Sequence, residues 1–314
     1  MLYKSYISFL LDNIDLYKCY IRGGLMQVIA VNSGNYGTKA KSKINEINFR
    51  TKAQENAEAD KFIMLDGRKY EIGEGNIDID NLKHDSIVHK LCTLFAVSIL
   101  HEQHDVFLIT CLPVNQFKRH DFRDAYRKSL IGEWEITTNR GKDIFRIKDV
   151  IVYMEGAAAL LTYQEAYQNN IVSVIDIGGY NVNVSQYNNL HLISGTEDDF
   201  DLGVYNIKTR IRNEFNQQLN VHLKEYELNY IMKNPTIEQY KIIDKHYKIF
   251  INQLRNELKQ KGYNLSLNKI LFSGGGAMDL ELQLIQEFSN CSIGSVYDTV
   301  RGLYNLGVKK CGYV

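Results

Sequence analysis

Three glycine-bearing turns constrain this sequence more than anything else in it. Each directly follows an apolar, β-prone run, and they lie far apart: Asn32-Ser33-Gly34-Asn35-Tyr36-Gly37-Thr38-Lys39, Asp176-Ile177-Gly178-Gly179 and Ser273-Gly274-Gly275-Gly276-Ala277. Without a Cβ the backbone can approach an anion closely, and successive N–H groups can point at its oxygens. Any one of the three, taken alone, reads as an ordinary hairpin. Their order and their neighbours favour a shared phosphate-binding arrangement.

The neighbours supply matching chemistry. Lys39 stands five residues beyond Gly34, where an ammonium can reach a β- or γ-phosphate. Asp176 closes a buried strand, a position from which a carboxylate can hold the water shell of magnesium. The third turn opens a helix and can lie against a nucleoside or its α-phosphate. Between the first two turns, Glu155 precedes Gly156-Ala157-Ala158-Ala159, and a carboxylate there can orient or deprotonate a water.

Around these turns the pattern is alternately strand and helix. Residues 27–31 and 172–177 read as buried strands, each running into a glycine turn and a returning strand, which suggests a duplicated architecture without a residue-level repeat. Asp66-Gly67 between residues 62–65 and 69–72 is a two-residue hairpin signal, because both central positions tolerate positive φ. Residues 84–101 carry a helical apolar stripe and 106–112 a buried strand ended by Pro113. Polar helix is expected near 115–128, strands over 133–153 about an Asn139-Arg140-Gly141 turn, and a small-residue helix over 156–167. Helices are expected over 200–219, 224–232 and 236–262, then from the third turn to Phe288 and over 295–307. In that last segment Gly302 and Gly307 allow close backbone packing.

Length and composition fit two domains of ordinary size: 314 residues, 45% of them hydrophobic. Formal net charge is zero and no long block of one sign occurs, so direct contact with nucleic acid or a membrane surface is not expected. The apolar runs at 91–100 and 106–112 are too short to span a bilayer, and a cytoplasmic protein is expected. Five scattered cysteines, without metal-ligand spacing, read as reduced thiols.

Taken together, the turns resemble the phosphate-one, phosphate-two and adenosine motifs of the actin, DnaK-type chaperone and sugar-kinase superfamily. They look most like those of ParM-like plasmid-segregation actins. The matching segments are VNSGNYGTK (31–39), YMEGAAA (153–159), IDIGGYNVNV (175–184), DLGVYNIKT (201–209), LFSGGGA (271–277) and VYDTVRGLYNLG (296–307). They cover the chain from about Met26 onward, and DGRKYEIGEG (66–75) looks like the small-subdomain hairpin of ParM relatives.

The resemblance implies an α/β actin-like ATPase fold, two domains of ribonuclease-H-like topology around a nucleotide cleft. Domain I would comprise residues 26–157 plus 299–314, and domain II residues 158–298. It implies ATP (or GTP) with Mg2+, and hydrolysis coupled to filament assembly. Asp176 would serve the metal through water and Glu155 the attacking water. Gly178 and Gly179 would meet the phosphates from one side, with Asn32, Ser33, Gly34 and Lys39 on the other. Gly274, Gly275 and Gly276 would hold the nucleoside, and Gly203 would line the cleft. Implied partners are further copies of the chain and a DNA-binding adaptor of ParR type on a plasmid centromere.

Two departures stand out. Asn32 occupies a position where the family usually has Asp; the amide still accepts a hydrogen bond but brings no charge. Tyr180-Asn181 follows the second glycine pair, where a hydroxyl residue is common. Two other functions stay open, a monomeric sugar or metabolite kinase of the same superfamily and a module that binds nucleotide without hydrolysing it. His101 and His104 lack zinc-protease spacing and read as surface residues, and the basic residues of 118–128 as a solvated helix face interrupted by Asp121 and Asp124.

Residues 1–25 stand apart as a non-native or disordered extension. The apolar patch 6–11 is followed by Asp12 and Asp15 and by no small-residue cleavage site, unlike a signal peptide. Arg22-Gly23-Gly24 precedes Met26 and can be encoded by a purine-rich ribosome-binding sequence, so translation is expected to start at Met26. A genuine N-terminal extension is the alternative. Intact-mass analysis of protein from the native host should give a chain beginning at Met26, and a mass that includes Met1 refutes this.

Overall fold

The computed structural model describes residues 26–75 and 82–311; the expected N-terminal extension lies outside them. Nine strands form one sheet: β1 (Gln27–Ser33), β2 (Gly37–Lys41), β3 (Glu46–Arg50), β4 (Ala53–Glu55), β5 (Phe62–Leu65), β6 (Arg68–Ile72), β7 (Asp105–Leu112), β8 (Gly132–Thr138) and β9 (Gly141–Met154). Six form a second: β10 (Ile171–Ile177), β11 (Val182–Asn188), β12 (His191–Leu192), β13 (Asp198–Phe200), β14 (Lys269–Ser273) and β15 (Cys291–Ile293).

Both sheets are built on one plan. In the first, the order begins β3-β2-β1-β7-β9, with β1 antiparallel to β2 and parallel to β7. In the second, β12-β11-β10-β14-β15 runs with β10 antiparallel to β11 and parallel to β14. Each sheet thus opens with a hairpin that carries a glycine turn, and adds parallel strands beside it. This is the repetition expected from the two strand-turn-strand units, and the whole has the two-sheet actin-like α/β fold.

Alternation along the central strands explains why the first sheet is covered on both faces. Ile29 and Val31 pack with the helix Ile87–Leu100, whereas Val28 and Ala30 face Val300 and Leu303 of the helix Asp298–Lys310. Ser86 caps the helix Ile87–Leu100 by accepting from the His89 N–H. The second sheet packs Ile175, Ile177 and Phe272 against Ile211 and Phe215 of the helix Val204–Leu219 and Leu254 and Leu258 of the helix Ile237–Gln260. That last helix starts with a capping box between Thr236 and Gln239.

The hairpin at Asp66-Gly67 forms as expected, both residues having positive φ (50° and 76°). Several expected helices are shorter or divided. The 115–128 segment is two helices, Val114–Phe117 and His120–Leu130, and 156–167 splits at Tyr163 into Ala157–Thr162 and Gln164–Tyr167. The 200–219 helix starts only at Val204, because 198–200 is strand β13, paired to β11. The third turn leads into Gly275–Asp279 and Glu281–Glu287, broken at Leu280. Strands β4, β12, β13 and β15, of two or three residues each, carry too few residues for periodicity to reveal them.

His101 and His104 each sit beside a carboxylate, of Asp143 at 2.7 Å and Asp105 at 3.2 Å. The basic residues of 118–128 are paired likewise, Arg119 with Asp121 and Arg127 with Asp149. Among the described residues, Cys92, Cys111, Cys291 and Cys311 form no disulfide. Among the described residues, no helix is long and apolar enough to cross a membrane.

The helix Asp298–Lys310 returns to the first sheet and crosses the helix Ala157–Thr162 at Gly302. A Cβ at Gly302 would lie 1.7 Å from the Ala158 carbonyl oxygen, so the two backbones touch there. Gly302→Ala should therefore lower stability by about 1–3 kcal/mol, the usual cost of forcing an extra methyl into a packed contact. Gly275→Ala, whose Cβ would meet only Val296 at 3.9 Å, should cost far less. Urea melts of both variants check this.

Candidate functional site

Period-two geometry decides which residues of the first hairpin face inward. Asn32 pairs with Lys39 and Ser33 with Thr38 across β1 and β2, so Asn32 and Lys39 share one face and Ser33 and Thr38 the other. Asn32 and Lys39 line a cavity of about 430 Å³. The Ser33 side chain points away from it, its Oγ lying 3.0 Å from His89 Nδ1 and accepting from Thr38 Oγ1 at 3.2 Å. Ser33, expected to help hold the phosphates, thus does not turn its side chain into the cavity. Strand alternation turns it into the core, where it braces the hairpin.

The second hairpin contributes Asp176, buried between Asn183 of β11 and Ser273 of β14. Its turn closes with the Gly178 N–H donating to the Asn181 carbonyl at 2.9 Å. Gly178 and Gly274–Gly276 line the same cavity, as does Gly179. The third turn is pressed against the second strand: a Cβ at Gly274 would come 2.3 Å from Asp176 Oδ1, and Gly274 also has φ of 86°. At Gly179 a Cβ would collide with Tyr36 of the first turn at 2.5 Å, so the first two turns meet each other across the cavity.

Gly203 does not line this cavity. Its backbone lies under the second turn, where a Cβ would be 2.3 Å from the Gly179 carbonyl oxygen. The N–H groups of Val204 and Tyr205 donate to the carbonyls of Gly178 and Gly179, at 3.2 and 2.8 Å. The helix Val204–Leu219 thus spends its first two donors on holding the turn. The family resemblance implied Gly203 in the cleft, and this buttressing puts it behind.

Glu155 leaves the end of β9 with its N–H bonded to the Leu112 carbonyl at 2.8 Å, and Gly156, at φ 81°, turns the chain into the helix Ala157–Thr162. Its Oε1 accepts from Asn32 Nδ2 at 3.1 Å. The Asn32 departure therefore has a local reason: an ionised Asp there could not donate, and would set two carboxylates side by side. The amide oxygen, Asn32 Oδ1, is buried without a hydrogen-bond partner.

Charge is concentrated at this spot. Burial raises the Asp176 pKa to about 7, with the nearby Glu155 charge adding to the rise and Lys39 opposing it. Burial likewise lowers Lys39, against the pull of Asp176 and Glu155. No motif marks Lys83, which precedes the helix Ile87–Leu100 in a turn. It is buried, lines the cavity, and donates from Nζ to the Cys111 carbonyl at 2.9 Å. Burial works against its charge, yet its pKa is raised, with the nearby Glu155 carboxylate holding the ammonium charged. Arg50, Lys208, Asp279, Tyr36, Phe49 and Tyr180 complete the charged and aromatic part of the lining, and of these Arg50, Phe49 and Asp279 lie outside any motif.

Residues 30–157 match the family model described as the N-terminal domain of actin like proteins. The solved structure titled an Alp12 filament is 25% identical, with a TM-score of 0.71 over 91% of this chain and 99% of that one. The archaeal actin homolog Ta0583, in complex with ADP, is 15% identical with a TM-score of 0.75 over 92% and 99%. Bacillus thuringiensis ParM with ATP is 14% identical with a TM-score of 0.68 over 91% and 99%. No curated protein matches the sequence. The chain therefore has an actin-like fold, similar to those of the ParM and Alp bacterial actins.

That fold implies a nucleotide with a divalent cation, and the cavity's donors and acceptors fit the pair. Among the described residues there is no cluster of three or more His, Cys, Asp or Glu side chains, so a cation would not find an all-protein cage. The partnerless Asn32 Oδ1 and the Asp176 carboxylate offer oxygens to the water shell of a cation carried on phosphates.

The Asp176 shift has a sign that can be measured. Between its unfolded value near 4 and about 7, the native state holds a proton that the unfolded state releases, so stability falls as pH rises through that window. This one group contributes a slope of up to about 1.4 kcal/mol per pH unit. Denaturant melts at pH 4.5 and 7 should show a smaller pH dependence in Asp176→Asn than in the parent; an unchanged slope contradicts the assignment.

Proposed function

We propose that the protein is a cytoplasmic, filament-forming nucleotide hydrolase that segregates plasmid DNA through nucleotide-dependent polymerisation. One observation carries this reading: residues of all three glycine turns line a single cavity together with Lys39, Glu155 and Asp176. Similar solved structures, an Alp12 filament, Ta0583 with ADP and a ParM with ATP, support it.

Residues 26–157 with 299–314, and 158–298, act as two domains on either side of the cleft. The substrate is ATP, with GTP the alternative. Gly34, Gly178 and Gly179 present bare backbone to the phosphates, Lys39 adds a cation beside them, and Gly274–Gly276 take the nucleoside end. Asn32 and Asp176 would hold the waters of a magnesium ion, which when bound would neutralise charge on the phosphate oxygens.

Glu155 orients a water in line with the terminal phosphorus. As the new P–O bond forms, the bond to the bridging oxygen of the leaving diphosphate breaks, and Glu155 takes the water's proton. Catalysis comes chiefly from positioning and from fixed dipoles. Closure of the cleft on the triphosphate favours assembly, and hydrolysis weakens the lattice. A small DNA-binding adaptor of ParR type on a plasmid centromere would connect filament to cargo.

Nucleotide-dependent light scattering recorded together with phosphate release tests this. The expected result is scattering on adding ATP or GTP, followed by release. Glu155→Ala should slow release by about 100-fold or more while scattering persists. Scattering absent with substrate-dependent ADP formation would indicate a kinase, and binding without turnover a passive nucleotide module.

A further inference from the structure

We infer that Arg50 reads the terminal phosphate of a bound nucleoside triphosphate while paired with Glu225, which starts the helix Glu225–Lys233 beside the cleft. The inference rests on the nucleotide reading above and adds a residue that no motif marks.

Arg50 ends β3 and is paired with Gly37, the first residue after the first glycine turn. It therefore stands at the turn end of the cavity, where Tyr36 and Gly179 meet, and it lines that cavity with Tyr36 and Tyr180. The guanidinium lies 3.7 Å from the centroid of the Tyr36 ring, which fixes its plane. One terminal nitrogen is 2.8 Å from Glu225 Oε1, at the start of the helix Glu225–Lys233. Tyr36 belongs to the first sheet and Glu225 to the helices of the second, so Arg50 already bridges the two halves.

The bridge is weak as it stands. The Arg50 and Glu225 side chains are 26% and 45% exposed, and ion pairs that open to water contribute little. A guanidinium offers five donors in a planar fork; Tyr36 uses its face and Glu225 one nitrogen. The fork can accept a second oxyanion beside the first, and phosphate is the anion it suits best.

The surroundings restrict what else can serve there. Tyr180 lies 6.4 Å from Tyr36 and 5.1 Å from Tyr205, ring to ring, making an aromatic wall at this end. Burial pushes the Tyr180 phenol up to about 12, so the wall stays neutral near pH 7 and Arg50 supplies the charge. A triphosphate would place an anion within reach of the fork. A diphosphate ends one phosphate short and leaves only the exposed ion pair.

The test is calorimetric titration of the full chain with a non-hydrolysable ATP analogue and with ADP, each with magnesium. Arg50→Lys keeps the charge and loses the fork; it should weaken the analogue by about tenfold or more and ADP by less than about twofold. Glu225→Gln should weaken the analogue less, and should have no further effect in an Arg50→Ala background. Thermal melts of each variant check that it is folded, and Arg50→Lys carries the test if Arg50→Ala is not. Equal loss for both nucleotides, or none in Arg50→Lys, overturns the role of Arg50 while leaving the proposed function standing. A parent chain that binds neither nucleotide overturns both.

Discussion

The site depends on how closely three turns approach one another. Tyr36 packs where a side chain on Gly179 would stand, and Asp176 and Ile177 occupy the space that one on Gly274 would need. These are contacts between loops on different strands, possible only because the Cβ atoms are missing. Gly34 and Gly275 differ: neighbouring protein atoms leave ordinary room for a Cβ at both. Their bareness is directed at the cavity rather than imposed by packing, as expected of backbone kept open for a ligand.

Packing behind the turns holds this approach in place. The helix Val204–Leu219 gives its first N–H groups to the second turn, and the Ser33, His89 and Thr38 side chains brace the first from the core. The helix Asp298–Lys310 crosses the helix Ala157–Thr162 at the Gly302 contact, at the exit of the strand that delivers Glu155. A rigid support of this kind lets buried charges of both signs stand close together, and the shifts of Asp176 and Lys39 record the desolvation that results. Oxyanions and a cation entering such a place meet groups already oriented, which is where electrostatic catalysis gains most.

Asn32 shows how one departure can be coherent with its surroundings. Its amide nitrogen serves Glu155 and its oxygen is left facing without a partner, so the residue positions an acid and offers an acceptor at once. The Tyr180 departure acquires a setting too, as part of the aromatic wall beside Arg50.

The sequence by itself determined the local elements and the order of the three turns, because strand alternation, positive-φ hairpins and helix stripes are written in neighbouring residues. It therefore disclosed Lys39, Glu155, Asp176 and the glycines that border them. Tertiary structure alone decided which of these face one cavity: Ser33 lies one residue from Asn32 and points the other way, and Gly203 is drawn behind the turn it was expected to accompany. Lys83 and Arg50 were invisible for the same physical reason. Each is an isolated basic residue whose meaning comes from partners far along the chain, Cys111 for one and Glu225 for the other, and only folding brings them within reach.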